Sequence, residues 1–428
     1  MLDRTKAPKI RQIENLSIHT PERLVMPNGL PLSVIKGGNE DVIRFDILIK
    51  GGQWNQNQPL QATFTNRMLR EGTTKYTSAQ IAEKLDFYGA WLDMSSSFNC
   101  EYITLYTLGK YFPQTIEVLE SIIKEPTFPE KELSVLLDSN RQQFLVNAER
   151  VEVMARKRLN KALFGMTHPL GMYAELEDYN RLAPDVLKAF YDRLYRSDNC
   201  SMYISGKVTP EVLHLIEEHF GNHSWGKVGQ VEPVLSFKPT TENDKYIFLE
   251  KKDAMQSSLK MGALSMNRNH PDYLKTRVLV TLFGGYFGSR LMSNIREDKG
   301  YTYGISAALF CYPDVGVFMI GTEAGNEFID PVIKEVYKEM DILRNEKVSE
   351  EELGMVKNYM LGEFCRAYES TLSLADSWIF IENSGLDDGF FERSLDAIRE
   401  VTSDEILSLA QKHFCKENLI AVVAGKKV

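Results

Sequence analysis

Apolar positions along the chain recur in alternating blocks, first with a period of two and then with a period of three to four. Ile43, Phe45, Ile47 and Ile49 share one face of residues 42–50, which predicts a half-buried strand closed by Gly51 and Gly52. Upstream, residues 23–36 predict a hairpin turning at Asn28-Gly29. Residues 60–70 carry helical spacing up to Gly72. Thr77 with Gln80 forms a capping-box signature for a helix to Tyr88, stopped by Gly89. Residues 91–98 and 102–108 predict strands, and 116–124 a helix. After Pro126 and Pro129 the spacing predicts one long helix over 130–164, free of proline and glycine. Pro184 stands in the first turn of a helix through Tyr195, and 201–205 predicts a strand ended by Gly206.

The pattern then repeats. FYDRLYRSDNCSMYISGK (190–207) aligns with LAQKHFCKENLIAVVAGK (409–426), and the same offset sets Asn199 on Asn418, Gly206 on Gly425 and Asp185 on Asp404. FPEKEL, ending at Leu133, matches VSEEEL, ending at Leu353, at nearly that offset. About half the chain separates the copies, so the protein is an internal duplication. Residues 221–244 are rich in Gly, Pro and polar side chains and read as a connection. The expected organisation is a first domain over 1–225, a linker over 226–244 and a second domain over 245–428. The expected class is α+β: two duplicated domains, each a largely antiparallel sheet with helices packed on one face, arranged as a clamshell.

One stretch of the second half draws attention, FGGYFGSRLMSNIREDKGYTYGIS (283–306). A glycine-rich turn leads to Ser289, which is placed to N-cap a helix whose apolar side is Leu291, Met292 and Ile295. Gly300 stops that helix and a strand follows over 301–310. Arg296 then lies in the last helical turn and Tyr303 near the strand's start. A guanidinium and a phenol brought together make a clamp for a peptide carbonyl or a developing oxyanion. An arginine in that turn also favours the helix dipole, and a strand tyrosine also packs, so the pair alone leaves both readings open.

Composition narrows the choices. The chain has 428 residues, 43% hydrophobic and 25% charged, with a net charge of -9, which leaves no basic excess for a nucleic-acid partner. Its five cysteines are scattered and form no CxxC pair, which fits a reducing compartment. Residues 1–16 hold no apolar leader-like run and no stretch reaches membrane-spanning length, so a cytoplasmic protein without membrane contact is expected. The seven histidines include HLIEEH, with His214 and His219 one residue too far apart to point at one ion; an outward-facing amphipathic helix is the expectation. GGYFG lacks the dinucleotide spacing, and P-loop and GxSxG patterns are absent.

With the duplication in view, the chain resembles the pitrilysin/insulinase family of zinc peptidases over nearly its whole length. LQATFTNRMLREGT (60–73) resembles the family's zinc helix and LFGMTHPLGM (163–172) the loop after its long helix. APDVLKAFYDRLYRSDNCSMYISGKV (183–208) resembles the close of the first domain, and SRLMSNIREDKGYTYGI (289–305) the segment bearing a substrate-binding arginine and tyrosine. Active members carry H-x-x-E-H, two histidine ligands with a glutamate base. The aligned positions here are Thr63, Asn66 and Arg67. The third ligand, a glutamate on the long helix, aligns near Gln143 or Phe144, with Glu149 within reach of an alignment slip. The resemblance therefore implies a zinc-less subunit without a metal or other cofactor. It would pair as a heterodimer with an H-x-x-E-H-bearing chain, and a homodimer is the other assembly to test. Arg296 and Tyr303 would hold unstructured peptide. Leu92, Asp93, Met94 and Ser95, on the matched edge strand, would pair with its backbone. A structural or assembly protein of the same fold is the alternative.

Overall fold

The computed structural model describes residue 5 and residues 18–229 and 235–428. The residues searched for a leader, 1–16, thus lie outside the described residues apart from Thr5, as do 230–234 of the connection.

The first half opens with the hairpin β1 (Glu22–Val25) and β2 (Pro31–Lys36), paired antiparallel with Leu24 opposite Leu32. Gly29 takes φ +88° in its turn, a conformation that favours glycine. There follow β3 (Val42–Lys50), α1 (Gln61–Met68), α2 (Ser78–Phe87), β4 (Trp91–Ser96) and β5 (Cys100–Leu108). Next come α3 (Phe112–Lys124), α4 (Glu130–Ala148), α5 (Val151–Phe164), α6 (Pro184–Leu194), β6 (Cys200–Gly206) and α7 (Pro210–Ile216). The second half runs β7 (Tyr246–Glu250), β8 (Gln256–Ser265), α8 (Tyr273–Val280), β9 (Thr302–Cys311) and β10 (Gly316–Gly325). It closes with α9 (Ile329–Asn345), α10 (Glu350–Ala367), α11 (Thr371–Asn383), α12 (Phe390–Glu400), α13 (Ser403–His413) and β11 (Ile420–Gly425).

The first sheet has the order β1-β2-β6-β3-β5-β4 and the second β7-β11-β8-β10-β9. Each is largely antiparallel with one parallel pair, β2 with β6 and β7 with β11. The two orders superpose if β2, β6, β3, β5 and β4 are read as β7, β11, β8, β10 and β9, as a duplication requires. The repeat seen in the sequence falls on α6–β6 and α13–β11, and FPEKEL and VSEEEL open α4 and α10.

One expectation fails at residue 149. The long helix breaks into α4 and α5 because Arg150 is extended, at φ -80° and ψ 124°. The break lets α5 leave its own half. Leu159 and Leu163 instead pack on the second sheet, against Ile420, Val422 and Val317. The matching break after α10 sends α11 the other way, on to β2 and β6 of the first sheet. There Ile379 joins Leu48, Cys100 and Tyr203. Glu382 accepts hydrogen bonds from Tyr203 at 2.6 Å and Arg23 at 3.1 Å, and Asn383 donates to Tyr102 at 2.7 Å. Each sheet therefore has its own helices on one face and a single helix from the other half on the opposite face.

This arrangement explains β3. Ile43, Phe45, Ile47 and Ile49 enter the first core as the alternation requires, yet Arg44, Asp46 and Leu48 on the other face are buried too. The connection is fastened as well: Thr240 and Glu242 donate backbone hydrogen bonds to Phe164 and Ala162 of α5. Trp225 belongs to the first core. Between the halves, where the Phe98 and Tyr312 rings meet at 5.4 Å, lies a cavity of about 450 Å³. Among the described residues no helix is long and apolar enough to cross a membrane.

Candidate functional site

α1 begins at Leu60, which takes the left-handed conformation at φ 70°. It turns Phe64 and Met68 into the core and leaves Thr63 and Arg67 half-buried on its outer side. Arg67 donates from Nη1 to the Asn140 side chain of α4 at 2.8 Å. Arg67, aligned with the second histidine, thus meets Asn140 on α4, and the residues aligned with the third ligand make other contacts. Gln143 is exposed and bonds Asn147, while Phe144 packs edge-on to Tyr179 at 5.7 Å. Glu149 is further away in role, pairing at 2.6 Å with Lys251 of the second half.

These side chains do not fit zinc. A catalytic zinc needs three anionic or imidazole donors. Thr63, Asn66, Arg67 and Asn140 supply a hydroxyl, two amides and a permanent cation. The described residues contain no group of three or more His, Cys, Asp or Glu suited to a metal ion. HLIEEH takes no part. His214 is exposed at the end of α7, and His219 is half-buried rather than outward, with Nδ1 2.8 Å from Glu120. Burial would raise the Glu120 carboxyl, but His219 and Lys124 overcome it and bring it down to about 2.

Behind α1 sits a polar cluster that periodicity did not expose. Asn66 is fully buried and donates to the Ser95 carbonyl of β4 at 3.3 Å, tying the helix to the edge strand. Glu101 on β5 accepts from Ser96 at 2.8 Å. Its other oxygen, Asn66 Oδ1 and the Tyr195 hydroxyl are buried without a geometric hydrogen-bond partner among the described residues. Burial pushes the Glu101 carboxyl well above the usual range, against the pull of the Ser96 hydroxyl. A glutamate on a strand two residues from a loop carries no sequence signal of such burial.

β4 forms one edge of the first sheet. Leu92 and Met94 point to the core, while Trp91, Asp93 and Ser95 are exposed. β9 is the matching edge of the second sheet. Before it, residues 292–298 form a wide π-type helix rather than an α-helix, and the Ser289 hydroxyl, instead of capping it, is buried without a partner among the described residues. Gly300, at φ +66°, ends the helix, and the Tyr301 amide donates back to the Ile295 carbonyl at 3.0 Å. Arg296 and Tyr303 consequently line one open cavity of about 750 Å³, together with Phe287, Glu297 and Tyr301. The Arg296 guanidinium lies over the Phe287 ring, 4.6 Å from its centroid, with Glu297 at 3.8 Å. Tyr303 is 91% exposed. Phe287, the platform that holds the arginine, stands in a glycine-rich turn and carries no pattern that marks it for this role.

Comparison with known proteins matches two family descriptions in succession. Residues 39–171 match the insulinase family, peptidase family M16, and residues 181–360 match the peptidase M16 inactive domain. Among curated proteins, the chain is 25% identical over 316 residues to an uncharacterized zinc protease, YmxG, of Bacillus subtilis, covering 72% of this chain and 75% of that one. It is 23% identical over 386 residues to the non-peptidase homolog YmxG of Helicobacter pylori, covering 88% and 87%. Among solved structures, a peptidase M16 inactive domain from Pseudomonas fluorescens has a TM-score of 0.84 at 20% identity, covering 95% of this chain and 98% of that one. A protease from Helicobacter pylori has a TM-score of 0.86 at 17% identity, covering 95% and 100%. With both halves matched in order and the duplicated architecture shared, the chain belongs to the insulinase-like peptidase family, M16.

Proposed function

We propose that this chain is a non-catalytic subunit of a zinc peptidase, holding unstructured peptide for a partner chain that carries H-x-x-E-H. The observation that carries the reading is a contrast between the halves. In the first, Arg67, aligned with a family metal ligand, is tied to Asn140 by a hydrogen bond. In the second, Arg296 and Tyr303 stay accessible on one open cavity. Arg296 would donate to a peptide carbonyl from a guanidinium already oriented by Phe287, and the Tyr303 hydroxyl would donate beside it. β4 offers its edge to an extended backbone, with Leu92 and Met94 anchoring it from below and Asp93 and Ser95 facing the peptide. With an amide and a cation where the family's base and second ligand stand, activation of water falls to the partner.

The test is to purify the chain alone and together with a relative bearing H-x-x-E-H, then measure zinc content and peptide hydrolysis in both. Activity only in the mixture is expected, and Arg296→Ala should lower turnover of the mixture by about tenfold to a hundredfold without disturbing assembly. Assembly with no gain in hydrolysis favours a structural role instead. Stoichiometric zinc on the isolated chain overturns the proposal.

A further inference from the structure

The duplication sets α8 and α10 in the second half where α1 and α4 stand in the first. Between α1 and α4 Arg67 donates a hydrogen bond to Asn140. Between α8 and α10 the space is open, a cavity of about 600 Å³ that α11 and α12 complete. That volume falls within the range of small-ligand sites, roughly 300–1,000 Å³.

Its walls are aromatic. The Tyr368 ring lies 4.6 Å from Phe364 and 5.0 Å from Phe391, centroid to centroid. Two arginines enter it, Arg277 from α8 and Arg268 from the loop before that helix. The Arg268 guanidinium lies 4.6 Å from the Phe380 ring centroid, and its Nε is buried without an acceptor among the described residues. Among the described residues neither arginine has an ion-pair partner. The two carboxylates on the rim are already engaged, Glu363 by Arg366 and Asp376 by Arg44, each at 2.6 Å. The arginines converge with two hydroxyls. Burial raises the Tyr273 hydroxyl while Arg277 and Arg268 pull it back, and burial pushes Tyr368 up to about 12 against Ser377 and Arg277. Ring walls with uncommitted guanidinium donors at one end are complementary to a flat apolar body carrying an anion.

The geometry points to a second ligand site in this cavity, for a small aromatic carboxylate held by Arg277 and Arg268. It stands apart from the peptide-binding cavity of Arg296 and does not depend on that reading. Isothermal titration calorimetry on the full chain tests it, with 2-naphthoate as probe and neutral 2-naphthylmethanol as its uncharged counterpart. Naphthoate should bind once per chain with a Kd below about 1 mM. The alcohol should bind at least about tenfold more weakly, because it lacks the charge that the guanidinium fork receives. Arg277→Met should reduce naphthoate to the level of the alcohol, and Arg277→Lys should restore part of the loss. Absence of naphthoate binding, equal affinities of the wild-type chain for the two probes, or an undiminished affinity in Arg277→Met overturns the assignment. Should Arg277→Met fail to fold by circular dichroism, the wild-type charge comparison and Arg268→Met carry the same decision.

Discussion

Arg44→Ala would strand a buried carboxylate at the contact between the halves. Arg44 and Asp46 are 6% and 1% exposed. The guanidinium holds Asp46 through Nε and Nη2, both at 2.9 Å, and reaches across to α11 at Asp376, 2.6 Å, and the Leu372 carbonyl, 3.1 Å. Without it Asp46 keeps only the Thr104 hydroxyl, at 2.7 Å, among the described side chains. Removing one member of a buried pair costs about 3–5 kcal/mol, whereas the solvent-facing Asp376 contact adds less than about 1 kcal/mol. Urea unfolding followed by tryptophan fluorescence should record a loss of that larger size at pH 7. Trp378, buried on α11, reports on the contact directly. The pH dependence has a definite sign. Burial holds the Asp46 pKa above its ordinary value even with Arg44 beside it. A carboxyl raised in the folded state contributes stability below its unfolded pKa, about 3.9, and loses it as pH climbs through the folded value. Loss of Arg44 raises that value further, so the defect should be greatest near pH 8 and shrink toward pH 4. The double change Arg44→Met with Asp46→Asn should cost less than Arg44→Ala alone. A loss under about 1 kcal/mol, or a defect that grows on acidification, would refute the reasoning.

Glu101→Gln keeps the shape of a protonated acid. Because burial raises the Glu101 carboxyl, its stabilising contribution is present below the unfolded pKa and fades as pH rises through the folded one. The variant should therefore gain on the wild type between pH 5 and pH 8, read from urea midpoints. Leu159→Ala, at a fully buried position on α5, should cost about 2–5 kcal/mol in the same assay. Gly300 has φ +66° and open space where a methyl group would stand, so Gly300→Ala should cost only backbone strain, about 1–2 kcal/mol, checked by thermal unfolding.

Local chemistry made much of the fold readable in advance. The β3 alternation, the Thr77–Gln80 capping box and the Asn28-Gly29 turn each act within a few residues, and the structure has them where their side chains demand. The burial of Arg44 and Asp46 could not be read that way, since their cover comes from α11, more than 300 residues later in the sequence. The break at Arg150 was equally hidden. No proline or glycine marks it, and its cause is the apolar face of the second sheet that Leu159 and Leu163 must reach. Thr63, Asn66 and Arg67 draw attention in the sequence because a motif fixes their spacing. The Arg67–Asn140 contact has no such signal, because it joins two helices far apart in the sequence.

Because α5 and α11 cross over, neither repeat is self-sufficient. A fragment ending before residue 230 would keep α5 without the sheet that hides its leucines, and would lose the helix that shields Asp46. Such a fragment would have to recover both from a second molecule, by the route of domain swapping. Physically, the chain is a swapped dimer whose two members have been sewn together, and cleaving the connection should leave the pieces clasped.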